Sequence, residues 1–275
     1  MGRISRGWRM TKMSLRIIRK DKELLLFPVI SGLFTIMIIV GFLAGMFYSV
    51  GIDGMFEWMT GYSFIVLFVG LYFLSTFVTI FFNAAIIGCA MIRLDDGIPK
   101  LRDGFRIAKE NIGRILAWTL FTATVGLVLR SIQQKAGIIG RIVIGFIGVA
   151  WALGTFFVVP VLIFEKVGPL NAMKRSATVF KGVWGETLVG NIGIGFIFFL
   201  AGLLGLPAII LGAVLGGVTG LIIGVAVAVV YWIALAVVAS AVQSVLTATL
   251  YRYATTGKVS REFGSRQLFE NPWRY

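Results

Sequence analysis

The chain contains no histidine and one cysteine among its 275 residues. Without histidine, Ser-His-Asp and Cys-His catalysis, imidazole zinc sites and histidine pH switches are all excluded. The one cysteine, Cys89, cannot form a disulfide or a cysteine metal cluster within one chain. It lies in an apolar run, where we expect a packed, inert thiol. The sequence therefore predicts a protein that is not an enzyme and that carries no cofactor.

Charge is also scarce. Only 14% of the residues are charged and 58% are hydrophobic, with a mean hydropathy of +0.93, so the charges are too few to cover a water-facing surface. The 26 Lys and Arg exceed the 12 Asp and Glu and give a net charge of +14. In a soluble protein such an excess would suggest nucleic acid as a partner. Here the positions of the charges indicate a membrane protein with no nucleic-acid partner.

Long uncharged runs define the predicted membrane spans. They cover residues 24–52, 58–92, 115–129, 142–164 and 187–251. A spanning helix needs about 20 apolar residues, so the last run of 65 residues has to hold two helices. The shortest run is extended by Arg114 and Arg130, whose long side chains can reach the interface. We therefore predict an all-α polytopic membrane protein with six transmembrane helices.

The connecting charges predict the orientation of these spans. The N-terminal segment, residues 93–114, residues 165–186 and the tail from Arg252 together carry 23 Lys and Arg, whereas the opposite connections carry three. Basic loops remain in the cytoplasm. The prediction is a multi-pass protein of the plasma membrane, with its N-terminus and its C-terminus both cytoplasmic.

A basic amphipathic segment precedes three of the spans, within residues 3–20, 101–112 and 170–184. Such helices lie in the headgroup plane and attract anionic lipids, so we expect anionic membrane lipids as partners. The candidate lipid-surface residues are Arg3, Arg6, Arg9, Lys12, Arg16, Arg19, Lys20, Lys174 and Arg175. In the alternative interpretation the segments are orientation signals and connectors that pack on the helix bundle.

These segments also suggest an internal repeat. "KMSLRIIR" (residues 12–19) and "KRSATVFK" (residues 174–181) share K-x-S and a basic residue five positions after the serine. The hypothesis is a single transmembrane domain over residues 1–275. It consists of three units of a surface helix plus a hairpin, 1–92, 93–166 and 167–253, and residues 254–275 form a cytoplasmic tail.

Three stretches carry a resemblance to known proteins: "GWRMTKMSLRIIRKDKELLLFP", "DDGIPKLRDGFRIAKENIGRIL" and "KVGPLNAMKRSATVFKGVWG". They resemble an uncharacterised family of six-span archaeal and bacterial membrane proteins. More distantly they are similar to the membrane domain attached to some glycerophosphodiester phosphodiesterases. The resemblance implies a six-helix integral membrane fold and no known activity. The acidic and histidine residues of the soluble phosphodiesterase domain are missing here, so that activity is not carried over.

Three carboxylates, Asp95, Asp96 and Asp103, lie in the basic connection after the second predicted span. Paired carboxylates at the cytoplasmic surface could hold Mg²⁺ for chemistry on a lipid headgroup. The favoured interpretation is local: Asp96 caps a helix that opens near Pro99, and Gly97 makes the turn.

Neutral polar residues are the candidates for a hydrated path, because the predicted spans contain no Asp, Glu, Lys or Arg at depth. The candidate pore-lining residues are Ser75, Thr79, Asn83, Asn191, Ser240, Gln243 and Thr247. The alternative is that they form interhelical hydrogen bonds worth about 1 kcal/mol or less each.

Glycines recur every four residues at Gly212, Gly216, Gly220 and Gly224. Because the residues between them are apolar, the spacing favours a helix-packing face that lets two backbones approach closely. The chain must still reverse direction near Pro207 or within residues 216–220. Whether the stripe packs within one chain or between the subunits of a homo-oligomer is left open.

Two functions are compatible with this sequence. The first is a passive channel or permeation path formed by a homo-oligomer. The alternative is a membrane scaffold or lipid-organising protein that acts through its basic amphipathic helices and glycine-mediated packing.

Overall fold

The computed structural model describes residues 3–50 and 62–257. A 3₁₀ turn, Lys22–Leu25, joins the first two helices. The α-helices are α1 (Arg3–Lys20), α2 (Leu26–Val50), α3 (Tyr62–Leu94), α4 (Leu101–Glu110), α5 (Ile112–Lys135), α6 (Ile138–Gly154), α7 (Val158–Phe164), α8 (Pro169–Gly182), α9 (Trp184–Leu203) and α10 (Leu206–Thr256). The residues of these two ranges contain no β-strand. The prediction of an all-helical protein is confirmed.

Within the described ranges, five segments are long and apolar enough to cross a membrane. They are Lys22–Tyr48, Ile65–Leu94, Ile112–Lys135, Ile139–Phe164 and Thr187–Thr256. The first four have 24 to 30 residues, which at 1.5 Å per residue exceeds the thickness of about 30 Å of a bilayer core. These segments confirm a polytopic, membrane-embedded protein.

The last segment, of 70 residues, reverses direction inside α10. Gly217 has φ 54° and ψ −136°, which is not helical. A Cβ built on Gly212 would lie 2.3 Å from the carbonyl oxygen of Gly220, although eight residues of continuous helix would separate these positions by about 12 Å. Helix α10 therefore consists of two antiparallel limbs, 206–216 and 218–256. The turn lies within residues 216–220, one of the two places where the sequence predicts a reversal.

The described residues divide into two compact units, those within 1–28, 89–101 and 181–275 in the first, and those within 29–88 and 102–180 in the second. In the first unit α1 packs against α9 and α10, and its core includes Ile17, Leu24 and Phe27. In the second unit α5 packs against α6 and α7, and its core includes Ile115 and Phe157.

Burial changes along the long helices. Residues 84–90 of α3 and 244–251 of α10 are all buried, as are Ile115, Trp118 and Thr119 of α5. Each of these parts is the end of its helix that adjoins a basic connection. The other ends expose large apolar side chains, such as Ile65, Val66, Val128, Ile132, Val214 and Leu215. One end of each of these three helices therefore packs against other parts of the protein, and the apolar surface of the other end suits contact with hydrocarbon.

Candidate functional site

An amide pair joins α9 to the second limb of α10. The side-chain NH₂ of Gln243 donates to the amide oxygen of Asn191. The NH₂ of Asn191 in turn donates to the carbonyl of Thr187 at 2.8 Å, and the Thr247 hydroxyl donates to the carbonyl of Gln243 at 2.9 Å. An unsatisfied amide in hydrocarbon costs several kcal/mol. Three of the predicted pore-lining residues thus come together, and their polar groups bond to protein atoms.

Elsewhere in the predicted pore-lining set the Thr79 hydroxyl turns back onto its own helix, as does the hydroxyl of Ser244 beside the set. In α3, Thr79 donates to the carbonyl of Ser75 at 2.9 Å, and Asn83 is half-buried. In α10, Ser244 donates to the carbonyl of Ser240 at 2.9 Å. Such bonds satisfy a hydroxyl inside a membrane helix without a water molecule. Thr79 and Ser240 have exposed side chains, and Ser75 is half-buried.

A break between α9 and α10 is closed by two aromatic side chains that the sequence analysis did not single out for this role. At Leu204 and Gly205 the backbone forms tighter i→i−3 bonds of 3.1 Å. Tyr231 donates its hydroxyl to the carbonyl of Ala201 at 2.6 Å, and Trp232 donates its indole N–H to the carbonyl of Gly202 at 2.9 Å. The break therefore needs no water to satisfy these two carbonyls. The sequence signal that could have indicated this role is the Tyr-Trp pair inside an otherwise apolar run.

The glycine stripe makes backbone contacts between the two limbs of α10. A Cβ on Gly212 or Gly220 would lie 2.3 or 2.1 Å from the carbonyl oxygen of the other residue. A Cβ on Gly224 would lie 2.4 Å from the carbonyl oxygen of Ala208, whereas one on Gly216 would meet nothing within 4 Å. Three of the four glycines thus lie at a close approach within one chain, and Gly216 lies in open space beside the turn.

Ion pairs connect the segments at the buried end of the first unit. Asp21 forms a salt bridge of 2.9 Å with Arg93, and the two side chains are 11% and 18% exposed. Arg252 forms a salt bridge of 2.7 Å with Asp95 and also donates to the carbonyl of Leu94. These bonds tie the segment after α1 and the end of α10 to the end of α3.

Two of the three candidate carboxylates form salt bridges, and the third lies in a turn. Asp95 is bound to Arg252 as described, and Asp103 pairs with Arg106 at 3.2 Å. Asp96 differs from the expectation of a helix cap near Pro99, because it has φ 63° and lies in the turn that ends α3, donating its N–H to the carbonyl of Arg93. In the described part of the chain no three His, Cys, Asp or Glu side chains are grouped to hold a metal ion.

The N-terminus of helix α4 is instead bound by a carboxylate that is distant in the sequence. The N–H of Leu101, the first residue of α4, donates to Glu23 at 2.6 Å. An anionic acceptor at a helix N-terminus satisfies an otherwise free N–H and is stabilised by the helix dipole. A partner 78 residues away along the chain could not be found from local sequence.

The basic residues of α1 lie outside its buried face. Ser14, Ile17 and Ile18 are buried. The exposed residues of the helix include Lys12, Arg16, Arg19 and Lys20. The side chains of the predicted lipid-surface residues Arg3, Arg6 and Arg9 lie outside the described part.

On α8, Lys174 and Arg175 are both exposed. Arg175 donates to both carboxylate oxygens of Glu165 at 2.9 Å. Of this predicted lipid-surface pair, Arg175 therefore already has an acidic partner within the protein.

Long apolar helices and internally satisfied polar groups define a polytopic helical membrane protein. More particularly, the chain belongs to a family of unknown function, DUF6159, whose model matches residues 61–261. Membership of an uncharacterised family, as the sequence predicts, is confirmed. Comparisons with curated proteins and with solved structures gave no match.

Proposed function

We propose that this protein is a non-enzymatic membrane scaffold that organises lipids through its basic surface helices and its tightly packed C-terminal hairpin. It crosses the plasma membrane six times with both termini in the cytoplasm. The excess of Lys and Arg in alternate connections supports this orientation. The turn at Gly217 supports the count, because it divides the last apolar run into two.

One observation carries the scaffold proposal. The polar groups of Asn191, Gln243, Thr247 and Thr79 bond to protein atoms, while large apolar side chains remain exposed along the helices. A water-filled path needs polar groups turned toward water, whereas a lipid-embedded helix needs them satisfied internally. The exposed basic residues of α1 add attraction for anionic headgroups of about 1 kcal/mol each.

Anionic lipid enrichment tests this function. The protein is reconstituted in vesicles of phosphatidylcholine and phosphatidylglycerol, extracted with its surrounding lipid, and the lipid ratio is measured. We expect enrichment of phosphatidylglycerol, and its loss when Lys12, Arg16, Arg19 and Lys20 are all changed to Gln. The matched control changes Arg130, Lys135 and Arg141, at the opposite end of the predicted spans, to Gln. Equal lipid ratios around the native protein and in the bulk membrane would refute the scaffold.

A passive channel formed by a homo-oligomer is the second candidate. Thr79 and Ser240 are exposed, and exposed neutral polar residues are what a pore assembled between copies would use as its lining. In this proposal the subunits meet through the halves of the helices that expose apolar side chains.

The internal repeat supports a modular origin of the scaffold. The segments α4–α5 and α8–α9 bury equivalent residues at a constant offset of 68, since 172 − 104 = 68. The pairs are Gly104 and Ala172, Ala108 and Ser176, Asn111 and Val179, Ile115 and Val183, and Thr119 and Thr187. Both threonines donate to the carbonyl four residues earlier at 2.8 Å. We expect the three repeats, 1–92, 93–166 and 167–253, to superpose on one another. The distant likeness to the membrane domain of some glycerophosphodiester phosphodiesterases stays a prediction.

A further inference from the structure

A groove of about 590 Å³ lies in the second unit, between the first half of α5 and the start of α8. Its floor is formed by Ala117, Leu120, Phe121 and Thr124, and residues 168–171 form the facing wall. A volume of this size is typical of small-molecule sites. The groove is therefore large enough for part of a lipid molecule.

The floor of the groove suits an alkyl chain. Its four residues are spaced three and four apart, so they form one stripe of about 10 Å along α5. The Thr124 hydroxyl donates to the carbonyl of Leu120 at 2.8 Å, which leaves mainly methyl and methylene groups toward the groove. Leu120 of the floor and Leu170 of the facing wall are 61% and 56% exposed.

An aromatic cluster holds this floor in place. The Phe121 ring lies 5.6 Å from Trp118 and 6.0 Å from Trp151, measured between ring centroids. The two indoles are stacked at 6.1 Å. Aromatic groups packed in this way are stabilised beyond their burial, so the groove is preformed rather than created by a ligand.

Positive charge flanks the α8 side of the groove. Lys166 precedes Gly168 by two residues, and Lys174 follows Leu170 by four residues on the same helix face; both lysines are exposed. The neighbouring Glu165 is paired through both oxygens with Arg175. The charge available to a ligand at this end is therefore cationic and complements a phosphate.

We infer that the groove holds one bilayer phospholipid, with an acyl chain along α5 and its anionic headgroup beside Lys166 and Lys174. This inference rests on the proposed function and names a resident lipid for it. The lipid lies with its chain against a membrane span and its phosphate at the basic connection. Bound there, it occupies a fixed position between a span and a surface helix.

A groove-filling substitution tests this site. Ala117→Phe places a ring over the floor at an exposed position, and Ala226→Phe makes the same change at an exposed position of α10 as the matched control. The full chain is released from vesicles of phosphatidylcholine and phosphatidylglycerol, and native mass spectrometry counts the phospholipids that it retains. We expect the native protein and Ala226→Phe to retain one more phospholipid than Ala117→Phe.

Charge variants test the headgroup position separately. The pair Lys166→Gln and Lys174→Gln is expected to keep the retained lipid but to reduce its preference for phosphatidylglycerol at least several-fold. Equal lipid counts for native protein and Ala117→Phe, with unchanged helical circular dichroism, would overturn the site. Loss of a dimer in Ala117→Phe would assign the groove to a second copy instead. If the groove fails in this way while phosphatidylglycerol enrichment still depends on the α1 residues, the site is overturned and the scaffold proposal is not.

Discussion

The close backbone approach in the α10 hairpin predicts which glycine substitutions the protein tolerates. An added Cβ would lie 2.3 Å from a carbonyl oxygen at Gly212 and 2.4 Å from one at Gly224, whereas a carbon–oxygen contact normally has about 3.3 Å or more. For Gly212→Ala and Gly224→Ala the two limbs must therefore separate by about 1 Å, and such overpacking costs about 1–3 kcal/mol. Gly216→Ala meets no atom within 4 Å and should stabilise the helix by about 0.5–1 kcal/mol.

The assay is the free energy of unfolding in mixed micelles of lipid and SDS, followed by helical circular dichroism. Gly216→Ala is the matched control, because it makes the same chemical change on the same stripe. Equal unfolding free energies for Gly212→Ala and Gly216→Ala would refute the contact within the chain. A smaller oligomer mass for Gly212→Ala, with its unfolding free energy unchanged, would assign the stripe to a contact between subunits.

Four further substitutions, in three experiments, test the polar contacts through the same unfolding free energy. Tyr231→Phe removes one of the two donors to the Ala201 carbonyl, which keeps its bond from the Leu204 N–H, and we expect a loss of about 1 kcal/mol; no loss would contradict the Tyr231 bond. Asn191→Leu and Gln243→Leu should show a coupling of about 0.5–1.5 kcal/mol in a double-mutant cycle, and additive effects would contradict their hydrogen bond. Asp21→Asn removes the charged partner of Arg93, which is 18% exposed, so we expect a cost of about 2 kcal/mol, whereas a change within experimental error would contradict the pairing.

Sequence reasoning predicted the helical membrane class because that class depends on composition. Backbone groups in hydrocarbon must be hydrogen-bonded within the protein, so long uncharged runs predict helices. Glycine in the last run indicates where the chain can turn. The turn at Gly217 lies in one of the two places that the sequence left open, near Pro207 or within residues 216–220, and its positive φ is a conformation that glycine adopts readily.

The partners of individual polar side chains could not be predicted in this way. The bond between Glu23 and Leu101 and that between Tyr231 and Ala201 join residues 78 and 30 positions apart. Such partners depend on how helices pack, which local periodicity does not encode. For the same reason the end-capping role expected for Asp96 differed from its position in the turn that ends α3.

The measurement that tests the scaffold proposal most directly is single-channel conductance in planar bilayers containing anionic lipid. The native protein, shown to be helical and inserted, is recorded beside Gln243→Leu and Gly216→Leu. The scaffold proposal predicts no discrete currents from any of the three, because the polar groups in the spans bond to protein. Discrete currents from the native protein that change in Gln243→Leu would contradict it and establish a pore.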